Sequence, residues 1–319
     1  MIPSIRQSTL PVALLAALTL PPTQAATQEP DTVPAPRTAA LLGPMQVEFR
    51  AGGAYIGNFF QAPTGAPRED VVTGTGETRL LLPLGMARSQ AYASFGGTLY
   101  DEFDPSLALA GGARWASGIH LADGRISYRT RSPRMEVGDS LGFADVLIID
   151  AGYRLRPLRA LQIEAVAVYD RQDYGTSAQR DNQALDLGGA LRYYGFGYEF
   201  LPEIGASLGS RDVVSDTEDY DQRTLWVTLR SNPTASWFLS LRYRHRLRDY
   251  ATDAAAASNF GREDRRQDLT LTADYAVDER WSVTGYLSFD DAVSTKPSRT
   301  FGTQYLWTGL TYRIGGAGR

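Results

Sequence analysis

From Met45 onward the chain is one succession of short segments in which apolar and polar side chains alternate with period 2. Successive side chains of a strand point to opposite faces, so each segment reads as a strand with one apolar and one polar face. Gly302–Ile314 shows it best. Leu306, Leu310, Tyr312 and Ile314 fall on one side, and Tyr305, Trp307, Thr311 and Arg313 on the other. One such strand fits a soluble sandwich as well as a barrel in lipid, so the series has to discriminate.

Val47, Phe49, Ala51, Gly53 and Tyr55 share a face opposite Glu48 and Arg50. A leucine-bearing segment near Thr78–Met86 follows, where Pro83 cannot donate to a ladder and predicts a bulge or an early strand end. Ala91–Tyr100, Leu107–Trp115, His120–Thr130, Val146–Leu155, Leu161–Tyr169, Ala184–Tyr193 and a weaker Leu201–Ser210 repeat the pattern. Leu225, Val227 and Leu229, then Trp237–Leu247, Leu269–Val277 and Trp281–Phe289, lead into Gly302–Ile314.

Two regularities separate this series from a sandwich. Short turns at Arg88–Gln90, Ser117-Gly118, Pro157–Arg159, Asn232–Ser236 and Asp278–Arg280 are interleaved with long polar stretches such as Gln61–Gly76, Arg131–Gly142, Ser210–Gln222 and Asp249–Arg266. Barrels in outer membranes have short periplasmic turns and long outer loops, whereas a sandwich has no reason to sort them by parity. Many apolar faces also carry an aromatic near one end, among them Trp115, Tyr128, Tyr153, Tyr193, Trp237, Tyr275, Trp281 and Tyr312. Such rings suit an interface that is apolar on one side and wet on the other. The pattern predicts an all-β fold, a single transmembrane antiparallel up-and-down β-barrel of about 14 strands within a range of roughly 12–16. Two soluble β-sandwich domains are the alternative.

With 21% charged residues, a net charge of −4 and a mean hydropathy of −0.26, the chain of 319 residues is neither disordered nor a helical membrane protein by composition. Near-neutral hydropathy is what alternating lipid-facing and lumen-facing residues produce. The absence of Cys excludes a disulfide scaffold and any thiolate site. The mild negative charge makes no case for nucleic acid. At the N-terminus, Arg6 precedes the apolar run Leu10–Leu20, then Pro21-Pro22 and Thr23-Gln24-Ala25. This order predicts a signal peptide over 1–25, cleaved after Ala25. Residues 26–44, rich in Pro, Thr and Ala, read as a disordered periplasmic tail, and 45–319 as the barrel. The expected location is the bacterial outer membrane. Outer-membrane lipid surrounds such a chain, and the barrel-assembly machinery and periplasmic chaperones are its partners during biogenesis.

Closure turns the polar faces inward. Arg154, Arg192, Arg230, Arg242, Arg244 and Arg246 would line the lumen together with Asp150, Glu164, Asp268 and Asp274. The row Arg242, Arg244, Arg246 is the sharpest feature, and the next strand carries Asp268 and Asp274 on the same face. Opposed rows of charge set up a transverse field across a wet pore that selects charged or sugar-like solutes. Alternatively the charges pair with one another and fill the lumen. Enzyme chemistry finds no support: His120 and His245 are the only histidines, and neither has a nucleophile or an orienting acid placed with it. The acidic run Asp216–Asp221 reads as a solvated loop rather than a calcium site. No cofactor and no metal are expected.

Ala51–Phe60, Glu69-Asp70-Val71-Val72, the leucine-rich strand after them and Tyr100–Phe103 resemble the start of the bacterial outer-membrane proteins grouped as β-barrel porins. Some members of that group accompany exopolysaccharide systems. The resemblance is one of strand texture across the mature chain. It implies an outer-membrane location and a porin-like or export-linked role, and it transfers no catalytic residue. The ending departs from the usual barrel: Gly315–Arg319 follow the last apolar residue, and Ile314 stands where a terminal Phe is common. Tyr312 and Ile314 still keep the alternation of an insertion signal. The expectation is a passive channel for small hydrophilic solutes, anionic or saccharide ones included, with the arginine row as constriction. The alternative is a non-conducting accessory barrel for export or assembly of a surface polysaccharide or protein, partnered by polysaccharide-export components. An outer-membrane hydrolase is a distant third.

Overall fold

A computed structural model describes residues 45–315 apart from 58–69, 85–88, 102, 136–140, 176–177, 198, 216–217, 251, 253–254, 256 and 258. The expected signal peptide and N-terminal tail lie outside the described residues. The strands are β1 (Gln46–Gly57), β2 (Val71–Pro83), β3 (Gln90–Tyr100), β4 (Ser106–Ser117), β5 (His120–Met135), β6 (Leu141–Leu158) and β7 (Leu161–Asp173). The second half comprises β8 (Asn182–Tyr193), β9 (Leu201–Val213), β10 (Tyr220–Thr234), β11 (Trp237–Tyr250), β12 (Glu263–Ala276), β13 (Trp281–Ser294) and β14 (Phe301–Gly315). Each pairs antiparallel with its sequence neighbours, and β14 closes on β1 to complete a fourteen-stranded barrel. Closure leaves no sheet edge unpaired, which strands in lipid require.

At the seam the outward faces of β1 and β14 meet residue for residue. Val47 lies opposite Ile314, Phe49 opposite Tyr312, and Tyr55 opposite Leu306. Gln46 pairs with Gly315, so both ends of the described chain sit at the end of the barrel that carries the short turns. This is the terminal end; the opposite one is the loop end.

The predicted apolar faces all point outward. Leu229, Leu241, Leu271, Leu287 and Leu306 are successive cross-strand partners on β10 to β14 and form one leucine row at mid-height. Aromatic pairs ring the terminal end, with Trp237 and Tyr275 centroids 4.8 Å apart and Trp281 and Tyr312 4.6 Å apart. Toward the loop end, Tyr55 donates its hydroxyl to Asp70 at 2.5 Å and Tyr128 donates to Asp145 at 2.6 Å. From Trp281 to Phe289 the chain advances about 27 Å, or about 21 Å along the axis at a tilt of about 40°, close to the apolar band of known barrels. His120 joins the terminal-end girdle, its Nδ1 2.6 Å from the Tyr153 hydroxyl.

The strands outrun the sequence reading at the loop end. β2 begins at Val71 instead of near Thr78 and ends at Pro83, the early stop that proline predicts. β12 begins at Glu263, inside the stretch read as a loop, and β10 begins at Tyr220. On this part of β12 both faces are polar: Glu263, Arg265 and Gln267 are exposed while Asp264, Arg266 and Asp268 are buried. Above the lipid band neither face has to be apolar, so hydropathy with period 2 stops before the ladder does.

Candidate functional site

Inward parity gathers the polar faces onto one wall, and the register sets opposite charges directly across from each other. Arg192 lies opposite Glu203, Arg154 opposite Glu164, Arg125 opposite Asp150, Arg244 opposite Asp268 and Arg313 opposite Glu48. Cross-strand pairs of this kind are the unit of sheet stabilisation. Glu203 accepts from Arg192 Nη2 at 2.6 Å and Arg230 Nη1 at 2.7 Å, and Trp226 Nε1 donates to its other oxygen at 3.4 Å. Arg154 reaches both Asp123 and Glu164 at 3.0 Å. Asp150 accepts from Arg125 Nε at 2.9 Å.

On β11 to β13 the pairing becomes a cluster. Asp268 accepts from Arg244 Nε at 2.7 Å and from Arg246 Nη2 at 3.0 Å. Asp290 sits directly opposite Asp268, a like-charge contact that would be repulsive alone, but Arg266 is bonded to it and Arg246 lies 4.0 Å away. Both carboxylates and both of these arginines are nearly inaccessible to solvent. Asp274 lies nearer the terminal end and accepts from Thr284 Oγ1 at 2.5 Å, away from the arginine row it was expected to face.

Solvent access varies along the lumen. At the loop end every strand contributes a buried inward residue: Ile56, Val71, Tyr100, Ser106, Ser132, Ala144, Gln172, Asn182, Arg211, Tyr220, Arg248, Asp264, Ala292 and Phe301 are each at most 9% exposed. One apolar cluster in this layer joins Ile56, Val71, Tyr100, Ala292 and Phe301, and another joins Ala144, Val146, Ile148 and Tyr174. A cationic cluster lies in the same layer. Arg248 lies over the Tyr220 ring at 4.7 Å, Arg262 lies over Tyr250 at 4.2 Å, and Arg262 Nη2 is 2.5 Å from Asp264. In the connections above the layer, burial pushes the Glu218 carboxyl above its ordinary range, with Asn259 and Arg262 partly offsetting. Burial, and then nearby Arg262, lowers the Arg299 guanidinium. Around β5 and β6 the wall is wetter, with the Asp123, Asp150 and Arg154 side chains 34%, 23% and 20% exposed, whereas inward residues at the terminal end of other strands, Glu48, Leu81, Gln162, Leu201 and Thr311 among them, are each at most 9% exposed. The lumen is a charged vestibule, part-exposed around β5 and β6 and lined at the loop end by a layer of buried residues.

Two inward tryptophans keep that vestibule from being crowded. Trp307 presses its indole against Gly52 and Gly309, where a Cβ on Gly52 would fall 2.6 Å from a ring carbon, and donates Nε1 to Thr75 Oγ1 at 3.2 Å. Trp226 covers Gly205 in the same manner. Glycine on the wall lets a large ring lie along the sheet instead of projecting across the lumen.

Every lumen residue expected from parity faces the lumen. Arg154, Arg192, Arg230, Arg244, Arg246, Asp150, Glu164 and Asp268 are brought into ion pairs. Arg242 stays outside them, its guanidinium 5.4 Å from the Trp226 ring centroid. The row also continues to Arg248, which the hydropathy pattern gave no reason to include. Tyr312 and Ile314 face outward on the seam. The signal that could have revealed the tryptophan shelves is an inward-parity Trp beside an inward-parity Gly on a neighbouring strand, and it becomes visible only once the register is known.

No protein-family model and no curated protein matches the chain. Among solved structures, the outer-membrane expressed OmpT of Vibrio cholerae is similar at 8% identity and a TM-score of 0.48, over 86% of this chain and 99% of that one. An anion-selective porin from Comamonas acidovorans is similar at 9% identity and a TM-score of 0.43, over 86% and 100%. The outer membrane protein Omp33 of Acinetobacter baumannii is similar at 12% identity and a TM-score of 0.43, over 85% and 99%. The assignment of this chain as a closed fourteen-stranded transmembrane β-barrel rests on its own strand ladder and apolar belt.

Proposed function

We propose that the chain is a bacterial outer-membrane barrel that passes small hydrophilic solutes, anionic ones preferentially, and that the buried loop-end layer is its closed gate. The observation that carries this reading is the division of faces: leucine and aromatic side chains outward, ion pairs and a part-exposed charged vestibule inward. With the short turns and both termini in the periplasm, the buried layer faces outward. Export by a signal peptide over 1–25 and folding through periplasmic chaperones and the barrel-assembly machinery, with Tyr312 and Ile314 in the insertion signal, belong to the same reading. It assigns no enzymatic activity. The outward His120 and its Tyr153 partner support an anchoring role in the girdle better than hydrolysis.

The buried layer favours a second reading, a non-conducting accessory barrel working with polysaccharide-export components. Planar-bilayer recording of the purified, folded protein separates the two. The channel reading expects small, interrupted ohmic steps with anion preference. If no steps occur at any voltage, the channel reading falls and the accessory reading remains.

A further inference from the structure

The arginine row is not uniform. Arg244 and Arg246 both donate to Asp268. Arg242, one inward position closer to the terminal end, has no carboxylate partner among the described residues. Its register neighbours are Thr228 on β10 and Thr270 on β12. The Arg242 Nε has no hydrogen-bond partner, and neither does the Thr228 hydroxyl opposite it, on a residue only 2% exposed. Buried polar groups are almost always satisfied, so two unsatisfied ones at facing positions on adjacent strands mark a place where something else supplies the acceptor. The local charge agrees in sign: beside the unpaired Arg242, the five guanidiniums of Arg154, Arg192, Arg230, Arg244 and Arg246 pair with the three carboxylates Glu164, Glu203 and Asp268.

We infer that Arg242 and Thr228 form a subsite in the vestibule for one oxyanion, the carboxylate or phosphate of an acidic sugar or organic acid. A guanidinium presents planar donors that match two anionic oxygens, and a hydroxyl opposite it adds a further donor. A neutral sugar offers nothing to answer the excess positive charge. Arg242 is held against Trp226, so the donors are pre-oriented, and Trp226 stands where a bound anion alters its surroundings. The inference rests on the lumen being a solute path, but binding can be read without conduction.

The test uses the full folded protein in detergent, with glucuronate, inorganic phosphate and glucose as probes, followed by calorimetry and tryptophan fluorescence. Saturable glucuronate binding is expected. Arg242→Gln should weaken it at least tenfold, Thr228→Val severalfold, and Arg242→Lys less than Arg242→Gln. Glucose should give no saturable signal. Phosphate binding as tightly as glucuronate would support the subsite with the free ion as ligand, and glucuronate binding alone would support it with the sugar acid. Glucuronate affinity unchanged in a heat-modifiable, folded Arg242→Gln variant would overturn the inference, as would glucose binding equal to glucuronate or no binding of either anion. Binding without current would leave the subsite standing and remove the channel; current without binding would do the reverse.

Discussion

Replacing Asp268 by alanine is expected to lower the unfolding free energy by about 3–5 kcal/mol, read as a fall in the urea midpoint of the refolded barrel. Asp268 is 3% exposed and accepts from two guanidiniums, Arg244 and Arg246. Its removal leaves both cations without their closest carboxylate, in a cluster where Arg266 adds a third positive charge. A buried pair contributes little net stability against an apolar substitute, but removing one partner exposes the full desolvation cost of the other. Asp268→Asn keeps an acceptor and should fall in between. The exposed pair of Arg223 and Asp249, 3.8 Å apart with side chains 69% and 51% exposed, is the contrast. Asp249→Ala should cost at most about 1 kcal/mol. Equal losses for Asp268→Ala and Asp249→Ala would show that the lumen cluster is solvated and not sealed.

Leu271→Arg should cost about 2–4 kcal/mol of stability in lipid or fail to assemble, because Leu271 lies in the outward leucine row at mid-belt. The same substitution at Gln267, on the same strand and face but beyond the apolar band, should cost about 0–1 kcal/mol. The comparison isolates depth in the bilayer from strand propensity, since both positions are outward on β12. Retention of the folded, heat-shifted gel species and of the urea midpoint by Leu271→Arg would place that face in water.

The barrel was legible because lipid enforces alternation. Wherever a strand crosses the band, one face must be apolar, so Phe49, Leu271 and Leu306 announce both strand and orientation. The loop-end extensions were hidden for the same reason: at Glu263–Gln267 no solvent demands an apolar face, and pairing continues without a hydropathy signature. Lumen-facing residues followed from parity alone, but their roles did not. Arg244 and Arg242 look equivalent in sequence, and only the register, which sets one opposite Asp268 and the other between Thr228 and Thr270, separates a paired cation from an available one. The buried loop-end layer was invisible because its members, from Val71 to Gln172 to Phe301, share no residue type and come together only when the sheet closes.

Cysteine accessibility tests the central claim, that the apolar face lies in lipid and that the lumen wall is wet around β4 to β6 and buried at the loop end. The native chain has no cysteine, so each introduced thiol reports a single position. In proteoliposomes treated with a small, charged maleimide admitted to both sides, Ala110→Cys in the part-exposed lumen wall should label readily. Leu271→Cys in the belt and Ala292→Cys in the buried layer should label only after unfolding. Labelling of Ala292→Cys as fast as Ala110→Cys, or any ready labelling of Leu271→Cys, would contradict the account.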